Sequence, residues 1–313
     1  MKKVIYKQFG DENVLQITEQ AVPVPEKDEL LVRVKAVSIN PLDWKIYGGE
    51  MKLMSGSKFP KGVGIDFSGI VENAGSDVTR FKAGDEVIGI LDAFKGGALA
   101  DYVAAKETAL ARKPAGISFE KAAALPVTGL SALQIIDQLA AVTKNQEVLI
   151  HGATGGIGVF AVQIAKKRGA IVTAVASSKG MEAAKKWGAD TVIDYTKQDI
   201  RQINQKFDAV IDLSTKLSFK SAKKLMKSNA TFISTFPSPQ LLAYSFLNNL
   251  FSRQKFRILI LKPTAERLGL LTDLAENDLQ IVLDKTYSIN EVRKAYKEAS
   301  QGRIMGKSVI VFD

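Results

Sequence analysis

Cysteine is absent from the 313 residues, and histidine occurs once, as His151. The first absence removes disulfides, thiolate nucleophiles and every zinc site built on sulfur; the second leaves no set of imidazoles to hold a metal. Acidic residues are outnumbered, with Lys plus Arg at 43 against Asp plus Glu at 33. Such an excess attracts an anionic cofactor or nucleic acid. The lysines are scattered, however, with only short clusters such as Lys166-Lys167-Arg168 and Lys223-Lys224, so a solvated basic surface is expected and a nucleic-acid partner is not. The opening MKKVIYKQFGDENVL breaks into polar residues before any long apolar run, unlike a signal peptide, and a cytoplasmic location is expected. The longest apolar region, Ala122 to Val142, contains Pro126, Gly129 and Asp137. It reads as an amphipathic helix after a PVTG turn rather than a membrane span.

What is present is an ordinary globular composition, 46% hydrophobic and 24% charged, at a length suited to about two domains. The first hundred residues are β-rich: ELLVRVKAVSI alternates Val32, Val34 and Ala36 with Arg33, Lys35 and Val37, the pattern of a half-buried strand. From about residue 126 strand-length apolar runs alternate with helical stretches, at 146–151, 157–168, 170–176, 180–187, 191–195, 207–213, 218–228 and 230–235. That order predicts βαβ units and a parallel sheet. Beyond FRILILK, 256–262, come a helical AERLGLLTDLAEN, an extended IVLDKTYSI, a helix from about Asn290 and a last strand, SVIVFD. The segment 240–262, rich in leucine and aromatics with basic residues behind them, is expected to be a core or subunit-contact helix leading into a strand, not a membrane anchor.

One stretch carries specific chemistry. HGATGGIGVFAVQIA follows the apolar EVLI and continues with helical spacing to Gly169. A chain that reverses tightly here, offers backbone N–H groups to a pyrophosphate and presses its helix onto the sheet needs small residues at set points. Gly155, Gly156 and Gly158 meet that need, with Ala153 where the strictest pattern has its first glycine; Thr154 and Ile157 complete the turn. The helix N-terminus adds partial positive charge under the phosphates. An NAD site places an acid about 20 residues on, at the end of the second strand. VTAVASSKG has none there; Ser177, Ser178 and Lys179 stand instead, a set that suits a 2′-phosphate, so NADPH is the expected cofactor.

The motifs AVSINPLDWKIYGG, FPKGVGIDFSGIV, FKAGDEVIGI, AAALPVTGLSAL, HGATGGIG, GADTVIDY and GKSVIVF together resemble the zinc-independent quinone oxidoreductase branch of the medium-chain dehydrogenase/reductase family, nearly end to end. The resemblance implies an α/β fold, a Rossmann-type doubly wound parallel sheet plus a GroES-like β-rich catalytic domain. It assigns residues 1–125 to the first part of the catalytic domain, 126–262 to the NADP-binding domain and 263–313 to the catalytic domain's return. Where zinc-dependent relatives carry a cysteine and a His-Glu pair, this chain has Asn40, Ile65 and Asp66. The resemblance further implies that Tyr195 and Lys179, assisted by Ser177, hold the 2′-phosphate, that Asn40 and Thr128 lie near the nicotinamide, and that Leu213 to Thr215 and Phe236 line the cofactor groove. It also implies a homodimer joined along edge strands of the cofactor domains.

Reducing a quinone or an α,β-unsaturated carbonyl without a metal calls for hydride delivery and a donor to the developing oxyanion. Candidate donors near Asn40 are Lys45 and Tyr47, with Asp43 orienting one of them. Each has a plainer role open to it: packing for Trp44 and Tyr47, the surface for Lys45, a turn cap for Asp43. His151, at a strand end before the glycine turn, is expected to be structural. Two other functions remain open from the sequence, a 2-enoyl thioester reductase and a low-turnover NADPH-binding or nucleic-acid-binding module.

Overall fold

The computed structural model describes residues 1–313 apart from Asp278, Arg303 and Asp313. The chain forms two compact units, Met1–Val127 with Pro263–Asp313, and Thr128–Lys262. The N-terminal part of the first unit comprises β1 (Lys2–Tyr6), β2 (Gln16–Glu19), β3 (Glu29–Ser38), α1 (Pro41–Tyr47), α2 (Lys52–Ser55), β4 (Lys61–Gly62), β5 (Asp66–Ala74), β6 (Glu86–Ile90), β7 (Tyr102–Lys106), β8 (Leu110–Arg112) and α3 (Phe119–Ala123). After α4 (Pro126–Leu133) and a π-helical turn, Gln134–Leu139, the second unit runs β9 (Glu147–His151), α5 (Gly156–Lys167), β10 (Ile171–Ala176), α6 (Met181–Lys186), β11 (Thr191–Asp194), β12 (Phe207–Asp212), α7 (Phe219–Ala222), β13 (Met226–Ser234), α8 (Pro239–Phe251) and β14 (Lys255–Ile258). The chain returns to the first unit through α9 (Ala265–Asn277), β15 (Leu283–Ser288), α10 (Val292–Ser300) and β16 (Lys307–Val311).

In the first unit β2-β1-β4 make one small sheet and β15-β16-β3-β5-β6-β8 a larger one, with β7 also paired to β3. The alternation along β3 places Val32 and Val34 in the core, as strand periodicity requires. They pack with Tyr6, Phe67, Tyr47 and Tyr296, the last brought by α10. The C-terminal return is therefore integral: β16 pairs with β3 through Val309 opposite Ser38.

The second unit is a parallel six-stranded sheet in the order β11-β10-β9-β12-β13-β14. From β9 the chain builds outward through β10 and β11, then crosses back to lay β12, β13 and β14 on the other side. Between β9 and β12 the following segments diverge, leaving a crevice at the strands' carboxyl ends where nucleotides bind in such sheets. The helix expected over 218–228 is shorter. Ser218 caps α7 by accepting from the Ser221 N–H, a single 3-10 turn follows at Lys223–Leu225, and the chain is extended from Met226. Pairing with β12 through Phe207↔Met226 takes those residues into the sheet; tertiary pairing overrides the local helical pattern.

The segment 240–262 supplies a helix leading into a strand, α8 into β14, but of the two expected placements, core or subunit contact, the core one is not met. Within α8 the polar Ser245 is buried, whereas Phe246 is 66% and Phe251 88% exposed.

Candidate active site

The glycine turn sits at the carboxyl end of β9. Gly152 adopts φ +84, a left-handed conformation that costs glycine little, and a Cβ there would stand 3.3 Å from Ser214 N and 3.4 Å from Leu213 C. The Ala153 N–H donates to Val175 O at 3.2 Å, tying the turn to β10. At Gly158 a Cβ would stand 2.3 Å from Gly152 O and 2.6 Å from Ala153 C, so only glycine lets α5 lie this close to the turn. Gly155 is different: a Cβ there meets nothing nearer than Gly152 O at 3.5 Å. It is the N-cap of α5 and supplies no side-chain cap. The first N–H groups of a 12-residue helix thus open onto half-buried Thr154, Gly155, Gly156 and Ile157. This arrangement fits a dinucleotide pyrophosphate.

The neighbouring strand ends complete that edge. β10 and β11 pair through Ala176↔Asp194, and the Tyr195 N–H donates to Ala176 O at 3.1 Å, which sets exposed Tyr195 beside Ser177, Ser178 and exposed Lys179. The sequence reading missed Asp194. Its carboxylate accepts from the Ser178 hydroxyl and from the Thr196 N–H and hydroxyl, bonds that hold it below the usual carboxylate range. On the other side of β9, Leu213 N–H donates to His151 O at 2.9 Å, and Phe236, 39% exposed, follows the end of β13. Thr128 is buried within α4.

His151 Nδ1 lies 3.0 Å from Asp212 Oδ1 and 2.9 Å from Ser214 Oγ. Burial would raise the Asp212 carboxyl, but the bonds from His151, Ser214 and the Leu217 N–H outweigh it and hold it low. Because Asp212 and Ser214 meet the same ring nitrogen, this is not a nucleophile–base–acid relay, which uses both. The network braces the β12 loop against β9.

In the first unit Asn40 is the centre of a buried polar cluster. Its Nδ2 donates to Asp66 Oδ1 at 2.7 Å, and its Oδ1 accepts from Lys307 Nζ at 2.7 Å. These two partners fix the orientation of the amide. Asp66 also accepts from Ser38 Oγ at 2.7 Å and the Val127 N–H at 3.1 Å, and Lys307 Nζ donates to Ile39 O at 2.6 Å. Burial pushes the Asp66 carboxyl up and the Lys307 ammonium down, and their mutual attraction opposes both shifts. The sequence shows Lys307 only as one polar residue in an apolar strand, flanked by nothing that announces a charged partner.

Asp43 is the third residue of α1. Its Oδ2 accepts from the Asn40 N–H at 2.9 Å, closing a capping box, and from Tyr296 Oη at 3.0 Å. Burial pushes its carboxyl up to about 7, helped by the charge of Asp66 and opposed by those hydrogen bonds and by Lys307. An acid that binds its proton more tightly when folded takes up a proton on folding between its unfolded and folded pKa values. Its contribution to stability is therefore complete below about pH 4 and is lost as pH rises through 7. Between pH 5 and 8 the protein is expected to lose roughly 2 kcal/mol more stability than Asp43→Asn; parallel urea-unfolding profiles for the two would refute this.

The structure separates the three candidate catalytic side chains. Lys45 is half-buried in the last turn of α1. Tyr47 is 3% exposed, with edge contacts to Tyr6 and Tyr296 at ring-centroid distances of 6.3 and 5.6 Å, and burial raises its hydroxyl pKa well above the ordinary tyrosine value. Asp43 is buried and bonded to backbone and to Tyr296. The placement gives Asp43 and Tyr47 the surroundings of positioning residues and leaves Lys45 the most accessible.

The donor set does not fit zinc. Asn40, Ile65 and Asp66 offer no thiolate or imidazole, and Lys307 already supplies a cation to the cluster. Among the described residues no group of three or more His, Cys, Asp or Glu is placed to hold a metal.

Comparisons with known proteins cover most of the chain. Residues 26–115 match the family model described as alcohol dehydrogenase GroES-like domain, and residues 187–310 match that described as zinc-binding dehydrogenase. The chain is 32% identical to a chloroplastic quinone-oxidoreductase homolog of Spinacia oleracea, across 96% of this chain and 95% of that one. It is 32% identical to a 2-methylene-furan-3-one reductase of Solanum lycopersicum, across 99% of this chain and 79% of that one. The solved quinone oxidoreductase from Coxiella burnetii superposes with a TM-score of 0.90 at 31% identity, covering 100% of this chain and 99% of that one. The chain thus belongs to the medium-chain dehydrogenase/reductase family, in its quinone oxidoreductase branch, and is an NAD(P)H-dependent oxidoreductase.

Proposed function

We propose that the protein uses NADPH to reduce quinones or α,β-unsaturated carbonyls. The observation that carries the cofactor choice is the end of β10. The residues that follow it, Ser177, Ser178 and Lys179, include no carboxylate for a ribose hydroxyl, Asp194 is engaged by Ser178 and Thr196, and Lys179 and Tyr195, after the paired ends of β10 and β11, are both exposed. A cation and hydroxyls at that point favour the extra phosphate. Ala153, Thr154, Gly155, Gly156, Ile157 and Gly158 would hold the pyrophosphate, and Leu213 and Phe236 the rest of the cofactor's length. When bound, a reduced nicotinamide supplies hydride to an electrophilic carbon.

The chain's own part is to bind, orient and stabilise charge. Asn40, its amide held by Asp66 and Lys307, fixes the start of α1. Lys45 donates to the oxygen on which charge develops, with Asp43 and Tyr47 holding α1 in place. The substrate class is supported by the relatives named for quinones and for a conjugated furanone.

Lys179→Glu is expected to raise KM for NADPH at least about tenfold while changing KM for NADH by less than about threefold. The assay follows loss of reduced-cofactor absorbance with quinones, short enals and crotonyl thioesters. Equal losses for both cofactors would remove the NADPH assignment. No consumption with any quinone or enal would remove the substrate class, and turnover confined to crotonyl thioester would transfer it.

A further inference from the structure

Helix α8 is built inside out. Over Pro239–Phe251 it contains no charged residue. With residues about 100° apart around a helix, Leu242, Phe246, Leu250, Leu247 and Phe251 share one broad outer arc, and all are exposed; Tyr244, at the edge of that arc, sets its ring against Phe219 and Phe256 at centroid distances of 6.0 and 6.1 Å. Gln240 is exposed at the first turn, but Ser245, Asn248 and Asn249 point the other way. Asn249 pairs with both backbone groups of Phe256: its Oδ1 accepts from the N–H at 2.8 Å and its Nδ2 donates to the carbonyl at 2.7 Å. Ser245 Oγ donates to the same carbonyl at 2.6 Å, and Asn248 Nδ2 to Gln254 O at 2.9 Å. β14 is the outermost strand, so these side chains take up backbone groups of a sheet edge that would otherwise invite another strand. Capping the edge uses the helix's polar residues and leaves its apolar ones outward.

An apolar face of this kind marks a contact surface. Beside it lies a groove lined by Leu139, Leu250, Phe251, Arg253, Lys255 and Arg257, and none of its lining residues is acidic. Apolar side chains bordered by arginine and lysine match the two layers of an anionic bilayer, acyl region and phosphate headgroups. A second copy of the chain fits less well. It would bring the same arginines against themselves, the backbone of Gln254 and Phe256 is already bonded, and a 13-residue helix falls short of the about 20–30 residues per partner of a stable interface. No helix among the described residues is long and apolar enough to cross a membrane, so the contact is peripheral.

We propose that the outer face of α8, with Arg253 and Arg257 at its border, docks the protein on an anionic lipid surface. This inference is independent of the cofactor assignment, and its test uses no cofactor. The full chain is sedimented with phosphatidylcholine vesicles, with and without phosphatidylglycerol as about one third of the lipid, at about 0.1 M salt. The protein is expected to partition at least about tenfold better onto the anionic vesicles. Phe246→Glu combined with Leu250→Glu should lower that binding about tenfold or more, and Arg253→Glu combined with Arg257→Glu should abolish the preference for anionic lipid. These positions are exposed, and unchanged circular dichroism verifies folding. Absence of binding, or binding indifferent to the Phe246 and Leu250 changes, overturns the proposal. So does light scattering that shows a dimer which those changes convert to monomer, since the face then belongs to a second copy.

Discussion

Replacing Lys307 with methionine is expected to destabilise the protein by about 3–5 kcal/mol, the cost of leaving a buried charge without its partner. Asp66 is fully buried, and its countercharge reaches it through the Asn40 amide, which bonds the carboxylate with one end and the ammonium with the other. Without the ammonium, the Ser38 hydroxyl, the Asn40 amide and the Val127 N–H are left to satisfy a carboxylate in a medium that disfavours it. The Asn40 carbonyl oxygen also loses its donor, so the amide is no longer fixed. Pairing Lys307→Met with Asp66→Asn removes both charges, and recovery of at least about half of the lost stability is expected. Urea-unfolding midpoints of the four proteins form the cycle. A Lys307→Met protein within about 1 kcal/mol of the parent would show that the ammonium does not carry the cluster.

The same cluster shows why part of this molecule could be read from its sequence and part could not. The glycine turn is local: strand, small residues and helix follow one another within one βαβ unit, and each residue's requirement comes from its neighbours in the chain. The strand–helix alternation of the second unit is legible for the same reason. Lys307, Asp66 and Asn40 come from β16, β5 and the start of α1, and only the pairing of β16 and β5 with β3 brings them together. In one dimension Lys307 is one lysine among many. Tyr296 and Asp43 are joined just as remotely, by α10 packing on α1.

The outward face of α8 was not legible for a different reason. Hydrophobicity indicates which residues avoid water when a partner is available, and periodicity indicates that they share a face, but neither says which face turns inward. Here the inward choice was made by the unsatisfied backbone of β14. An edge carbonyl or N–H gains more from Asn249 than from leucine. Three polar residues of α8 were a faint signal of this, since Ser245, Asn248 and Asn249 fall on one side of a helix whose other residues after Gln240 are apolar or aromatic.

The sharpest test of the nucleotide cradle compares alanine at two glycines of one turn. Gly158→Ala would drive a Cβ into Gly152 O at 2.3 Å and into Ala153 C and O at 2.6 Å. All three are backbone atoms of the turn, so relief requires α5 to move off the sheet. A loss of about 2–3 kcal/mol in stability is expected, together with at least about hundredfold weaker binding of NADPH and NADH alike, because the helix N-terminus moves with the helix. Gly155→Ala makes no such demand. Its backbone is extended at φ −76 and ψ 174, and the nearest atom to the new methyl is 3.5 Å away. Stability should stay within about 1 kcal/mol of the parent, yet the methyl stands where the chain must approach a pyrophosphate, so binding should still weaken at least about tenfold. The two substitutions thus separate folding from ligand approach. Cofactor titration by fluorescence, beside unfolding curves, reads both quantities. A Gly155→Ala protein that binds both nucleotides as the parent does would mean that the phosphates do not lie on this turn.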